Sequence, residues 1–344
     1  MDAKAALAAI VGGRTLTRDE ARTTMTSVMA GEATPAQLGA LLAALHVRGE
    51  TVDEIAGFAA AMRAAAVPVT LAVEALDIVG TGGSRIDPFN ISTVSSVVAA
   101  GAGAKVAKHG NRAATGRCGS ADMLEALGVR IDLGPEEVAR CVDEAGVAFL
   151  FAPRYHPAMR HAGPVRREIG IRTVFNLLGP LANPAGVRRM VLGVATPAIG
   201  EKLARVLGEL GAAHVLVVHG DDGLDDISPT APTRTWELRG GTVTTGAIDP
   251  AVLGLPLGSV AEILSGDPAA NAATARSIVS GESGARRTAV VLNAGAALFV
   301  GCLVESVREG VLRAAGAIDS GAATATLERF VATSQRLGEP QLAT

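Results

Sequence analysis

The run Gly80-Thr81-Gly82-Gly83-Ser84 follows a short apolar stretch, Leu76-Asp77-Ile78-Val79, and sets three glycines where a strand would end. Glycine lets backbone N–H groups come close to an anion, so the loop is a candidate phosphate cradle, although a bare tight turn reads as well for the loop alone. It is not a dinucleotide fingerprint, whose third glycine would have to replace Arg85, nor a P-loop, because no Gly-Lys-Ser/Thr follows. Beyond it, Asn90-Ile91-Ser92-Thr93 opens an apolar helix whose N-terminal amides attract phosphate. The Ser92 and Thr93 hydroxyls can cap that helix or bind phosphate or metal. Lys108-His109-Gly110-Asn111-Arg112 then brings two cations and an amide to a strand end, which suits an anionic ligand. Gly119-Ser120-Ala121-Asp122 starts another helix and offers a second N-terminus to the same ligand.

His156-Pro157-Ala158-Met159-Arg160-His161 lacks the spacing of a helical zinc site, so packing or hydrogen bonding is the plainer role of its histidines. Arg166 and Arg167 precede Glu168; one of them facing a pocket would fork onto a carboxylate, and both facing water would make an ordinary helix face. Asp225 and Asp226 lie past a His219-Gly220-Asp221-Asp222-Gly223 turn. Adjacent carboxylates on a strand-end loop suit magnesium, which takes one or two carboxylates together with substrate phosphate oxygens.

The elements that must hold these residues are readable. Thr17 with Glu20, Thr34 with Pro35 and Gln37, and Thr51 with Glu54 are capping boxes, which predict helices near 18–30, 35–48 and 52–65 behind a first helix over 2–11. Val67-Pro68-Val69-Thr70 has no helical pattern and is a candidate hinge. After Leu71, short apolar strands at 76–79, 105–107, 147–151, 190–195 and 215–218 alternate with helical segments, the grammar of an α/β sheet. Ligands of such sheets bind outside the carboxyl ends of the strands, so the loops beginning at Gly80, His109, Pro153 and His219 should converge.

Composition excludes other classes. The 344 residues carry Lys+Arg 31 against Asp+Glu 34, a formal charge of −3, with 49% hydrophobic and only 3% aromatic residues. A nucleic-acid binder would want a basic face and stacking rings. Cys118, Cys141 and Cys302 form no CxxC pair, which fits a reduced, cytoplasmic protein. Ala5 to Val11 is too short an apolar run for a signal peptide, and Ala289 to Val304 too short for a membrane span; the latter reads as a buried helix.

In order and spacing, the segments GTGGS, NIST, KHGNRAA, GSADMLEALG, HPAMRHAGPVRREIGIRTVFNLLGPLANP and VHGDDGLDD resemble the anthranilate phosphoribosyltransferase family of tryptophan biosynthesis, over nearly the whole chain. The resemblance implies a small helical domain, 1–67, completed by helices from about 154–185, and a large α/β domain, 71–344, around a mainly parallel sheet. It implies a homodimer joined through the helical domains. It implies transfer of 5-phosphoribose from phosphoribosyl pyrophosphate to the amine of anthranilate, with magnesium. Carried over, Gly80, Gly82, Gly83, Ser84, Asn90, Ile91, Ser92, Thr93, Lys108, His109, Gly110, Asn111, Arg112 and Ser120 would line the phosphoribosyl pyrophosphate site. Gly80, Asn111, His156 and Arg166 would meet anthranilate; Ser92, Asp225 and Asp226 would serve the metal; Lys108, Asn111 and Arg166 would act in catalysis.

The chain departs from that family pattern at Ser84, where an aspartate usually ends the glycine loop, and at Pro88, where a threonine commonly precedes NIST. Thr115-Gly116 replaces a serine pair, and Asp226 replaces a glutamate. Two expectations follow: a working enzyme that compensates with backbone amides and water, or a paralogue with another aromatic amine acceptor. A pyrimidine nucleoside phosphorylase-like enzyme is the alternative of the same architecture, with no use for Arg166 as a carboxylate clamp.

Overall fold

The computed structural model of the chain describes residues 1–113 and 116–339. Helices α1 (Ala3–Val11), α2 (Arg18–Met29), α3 (Pro35–Arg48) and α4 (Val52–Ala64) come first. At α2, α3 and α4 the full capping box forms: the threonine hydroxyl accepts from the third residue's amide, and that residue's side chain accepts from the threonine N–H. Glu54 does more than cap. Its buried carboxylate also takes the Leu16 N–H at 2.8 Å and pairs with Arg48, so the start of α4 is locked to the turn before α2. α2 can lie along α4 because Gly57 has no side chain; a Cβ there would stand 2.3 Å from the Arg18 carbonyl oxygen.

The stretch 67–70 is irregular, as its proline demands, and it is tied down. Val67 N–H donates to the Tyr155 carbonyl at 2.8 Å, Val69 N–H to that of Pro184 at 3.1 Å, and Val69 is buried.

The rest of the chain runs β1 (Leu76–Gly80), α5 (Ile91–Gly101), β2 (Val106–Gly110), α6 (Ser120–Leu127), α7 (Pro135–Ala145), β3 (Val147–Phe151), α8 (Ala152–Tyr155), α9 (Gly163–Ile169), α10 (Val174–Leu181) and β4 (Arg189–Gly193). It continues through α11 (Gly200–Glu209), β5 (His214–Gly220), β6 (Thr233–Arg239), β7 (Thr242–Ile248), α12 (Pro268–Val279), α13 (Ala285–Val300), α14 (Val307–Asp319) and α15 (Ala322–Gly338). One sheet of order β3-β2-β1-β4-β5-β6-β7 results, its first five strands parallel and its last two antiparallel. The buried helix expected near 289–304 is α13, all but lost inside the core.

Three expectations need correction. β1 runs on to Gly80, β2 past 107 to Gly110 and β5 to Gly220, so Gly80, His109 and His219 close strands rather than open the loops after them. Pro153 lies inside α8, at a position where proline's missing N–H costs nothing. The β6–β7 hairpin was not foreseen.

Strand periodicity sorts the side chains. The register aligns Asp77, Met190, Val215 and Leu238 on one face, where α11 packs with Gly208 against Leu238, while Leu76 and Ile78 face the layer of α5 and α13. On the Asp77 face, α11 and α10 also meet α4, and α9 and α10 meet α3. Lys108 and His109, expected to line one site, therefore turn to opposite faces of the sheet.

Candidate active site

The glycine loop leaves β1 directly beneath the segment that follows β5. Gly80 and Gly193 are register partners, and the Asp225 backbone crosses over both. A Cβ at Gly193 would fall 1.6 Å from the Asp225 carbonyl oxygen, and one at Gly80 2.7 Å from its Oδ2. That close approach brings Asp225 Oδ2 to 2.9 Å from the Gly82 N–H, which donates to it. Gly82 and Gly83 hold φ of 64° and 78°, conformations that favour glycine. Gly193 is a site-forming residue that sequence reasoning missed; the signal was a glycine closing a strand otherwise apolar.

On β2, neighbours point to opposite faces. Lys108 turns toward α5, where its Nζ donates to the Ile78 carbonyl at 2.6 Å and to Ser92 Oγ at 3.2 Å. Burial lowers its pKa, and the charges of Asp77 and Asp226 work against that. Ser92 does not cap α5: Asn90 is the N-cap residue, and no side chain caps. Thr93 Oγ1 is buried without a partner. Capping, the plainer reading of these hydroxyls, is therefore wrong. Burial first, and then the like charge of Asp225, push the Asp226 carboxyl well above the usual range; Lys108 pulls it back. No hydrogen bond from a described residue reaches that carboxylate, and a cation beside it would relieve its repulsion with Asp225; Ser92 is tied to this side through Lys108. Two carboxylates and a hydroxyl fit magnesium completed by substrate oxygens.

His109 turns to the other face and meets His156, with ring centroids 5.1 Å apart and planes tilted by 56°. Burial holds both imidazoles neutral, His109 down at about 3. Below them Asp77 Oδ2 accepts from the His109 N–H at 3.3 Å and from Asn183 Nδ2 at 2.8 Å; burial lifts its carboxyl to about 6. Among the described residues, buried side-chain atoms without a partner include Asp77 Oδ1, His109 Nε2 and His156 Nε2 in this cluster, Thr93 Oγ1 across the sheet on α5 and Thr173 Oγ1 at the start of α10. Buried polar atoms left unpaired mark a place built to receive a ligand or water.

Arg166 settles which arginine of its pair faces inward. It is half-buried, with its guanidinium 5.2 Å from the Phe175 ring centre, and no described carboxylate pairs with it, whereas Arg167 is exposed. Burial lowers its pKa, yet a guanidinium stays charged at neutral pH. Arg172, also missed in the sequence, reaches from the loop between α9 and α10 to the glycine loop, where Nη1 donates to the Gly82 carbonyl at 2.9 Å.

The other named residues divide. Asn90 spends its amide on Cys118 and Asn271, and Ile91 is buried with its N–H on the Phe89 carbonyl. Ser84 turns back onto the Ile86 carbonyl. Asn111 is exposed and accepts from the Arg112 N–H, while Arg112 is bound by Asp122 and Glu125 of α6. Ser120 begins α6 beside Gly110, where any Cβ would press on Phe149 and Ser120. Thr115 lies outside the described residues. Gly116 has a structural reason: a Cβ there would stand 2.8 Å from Asp87 Oδ1, whose carboxylate also takes the Arg117 N–H at 3.3 Å. Glycine at 116 thus makes room for the Asp87 carboxylate.

The glycosyl transferase family's a/b domain matches residues 72–324, and its helical bundle domain matches residues 4–66. The anthranilate phosphoribosyltransferase of Methylorubrum populi is 52% identical over 335 residues, 97% of this chain and 99% of that protein. The structure of anthranilate phosphoribosyltransferase from Thermus thermophilus superposes with a TM-score of 0.92 at 45% identity, covering 97% of this chain and 100% of that one. The Saccharomyces cerevisiae counterpart, in complex with PRPP and Mg, gives 0.89 at 26% identity, with 96% and 97% covered.

Proposed function

The chain belongs to the anthranilate phosphoribosyltransferases of the glycosyl transferase family, and from that membership we propose that it moves the 5-phosphoribosyl group of phosphoribosyl pyrophosphate to the amine of anthranilate, a step of tryptophan biosynthesis. The observation that carries this reading is Arg166: a half-buried guanidinium with no carboxylate partner among the described residues, stacked on Phe175. An acceptor with a carboxylate ortho to its amine supplies the missing partner, in a two-bond fork.

The chain's residues then share the work. Gly80, Gly82, Gly83 and the start of α5 receive the phosphates through backbone amides. Ser92, Asp225 and Asp226 hold magnesium, which when bound neutralises charge on the departing pyrophosphate. Lys108 fixes Ser92 and adds positive potential to that side. An aromatic amine is neutral at pH 7 and needs no strong base, so position matters most. Arg166 aims the nitrogen at the ribosyl carbon, while the neutral His156 and His109 leave unpaired Nε2 acceptors for the amine side. We read the chain as two domains, 1–67 completed by 154–185, and 71–344, that associate as a cytoplasmic homodimer through the helical part.

Calorimetry tests the donor. Magnesium-dependent binding of phosphoribosyl pyrophosphate, with no binding of uridine or thymidine, is expected; nucleoside binding without it would contradict the reading.

A further inference from the structure

We propose that Arg172 is a clamp that couples the two substrate sites: it binds the phosphates of phosphoribosyl pyrophosphate from the acceptor side and, in doing so, seats Arg166 for the acceptor carboxylate. The inference rests on the function proposed above. Arg172 crosses from the segment that packs on the helical unit to the end of β1 and donates from Nη1 to the Gly82 carbonyl at 2.9 Å. Its guanidinium lies on the bare face of Gly83, where a Cβ would fall 1.5 Å from Nη1 and 2.7 Å from Cζ. A side chain at 83 would push it off the loop.

A guanidinium carries five N–H donors in a planar fork. One is engaged on Gly82, and no described carboxylate pairs with the rest. Ser84, the next residue of the loop, brings no negative charge and turns its hydroxyl to the Ile86 carbonyl. An exposed, permanent cation therefore sits with open donors on the loop that cradles phosphate, the situation in which arginine takes phosphate oxygens in pairs.

The path from Arg172 to Arg166 is short. Thr173 follows, with its N–H held by Asn176 Oδ1 at 2.9 Å and its hydroxyl buried and unpaired. Two residues on, Phe175 is the ring on which Arg166 rests. Whatever fixes Arg172 on the phosphate side fixes the start of α10, and with it the platform of Arg166. By linkage, the donor then tightens the acceptor and the acceptor tightens the donor by the same factor.

Titration calorimetry of wild type, R172A and R172K separates the outcomes, with benzoate in place of anthranilate because it has the carboxylate and no amine to react. Wild type is expected to bind benzoate more tightly once magnesium and phosphoribosyl pyrophosphate are present. R172A should bind the donor about tenfold more weakly, bind benzoate alone as wild type does, and lose the coupling. R172K, charged but without the fork, should regain donor binding in part only. Donor affinity and coupling unchanged in R172A would overturn the proposal, as would an equal loss of benzoate affinity with and without donor, the mark of mere support. Wild type that binds no donor would overturn the transferase reading itself, a result distinct from either.

Discussion

At the scale of the residue, this site works by removing side chains as much as by placing them. Gly193 and Gly80 are bare so that Asp225 can cross the strand ends and receive the Gly82 amide. Gly193→Ala, whose Cβ would meet a backbone oxygen at 1.6 Å, should lower the melting temperature by several degrees and abolish magnesium-dependent donor binding; a variant that melts and binds like wild type would refute the crossing. Asp77 makes a prediction with a sign. Its buried carboxyl titrates at about 6 rather than near its ordinary 3.8, so between those values the folded state holds more protons than the unfolded one and stability falls as pH rises. Thermal melts of Asp77→Asn against pH should lose that decline, since the amide oxygen still accepts from His109 and no longer ionises. A pH dependence identical to wild type over about pH 4 to 6 would remove Asp77 from the account.

At the scale of the element, what was legible was what is local. A capping box is written in four consecutive residues, so the starts of α2, α3 and α4 could be read from Thr17, Thr34 and Thr51. Thr51→Ala should cost about 1 kcal/mol in chemical denaturation, the ordinary worth of a cap, and a value near zero would mean that Glu54 holds α4 through Leu16 and Arg48 instead. The apolar strands were legible because buried parallel strands are continuous apolar runs. Strand ends were less so: Lys108 and His109 look like loop residues by polarity, and only the sheet shows that they are strand residues facing two different layers. The β6–β7 hairpin had a signal that went unread, Gly240-Gly241 between alternating segments, with φ of 58° and 80° as a type I′ turn requires.

At the scale of the whole molecule, the contacts that complete the site join residues far apart in sequence. Gly82 meets Arg172 across 90 positions and Asp225 across 143, and neither pairing leaves a trace in local pattern. The motifs announced phosphate, carboxylate and metal chemistry; that Lys108 and His109 face opposite layers of the sheet is a consequence of strand alternation. The proposed homodimer is checked by light scattering, which should give the mass of two chains, and the mass of one chain would contradict it. The central claim is tested most directly by following anthranilate fluorescence with phosphoribosyl pyrophosphate and magnesium, in wild type and Arg166→Ala, with a metal-free control. Steady loss of the signal in wild type, none without metal, and a Michaelis constant for anthranilate raised roughly tenfold to a hundredfold in Arg166→Ala is the predicted result. No turnover in wild type, or a variant with an unchanged constant, would contradict it.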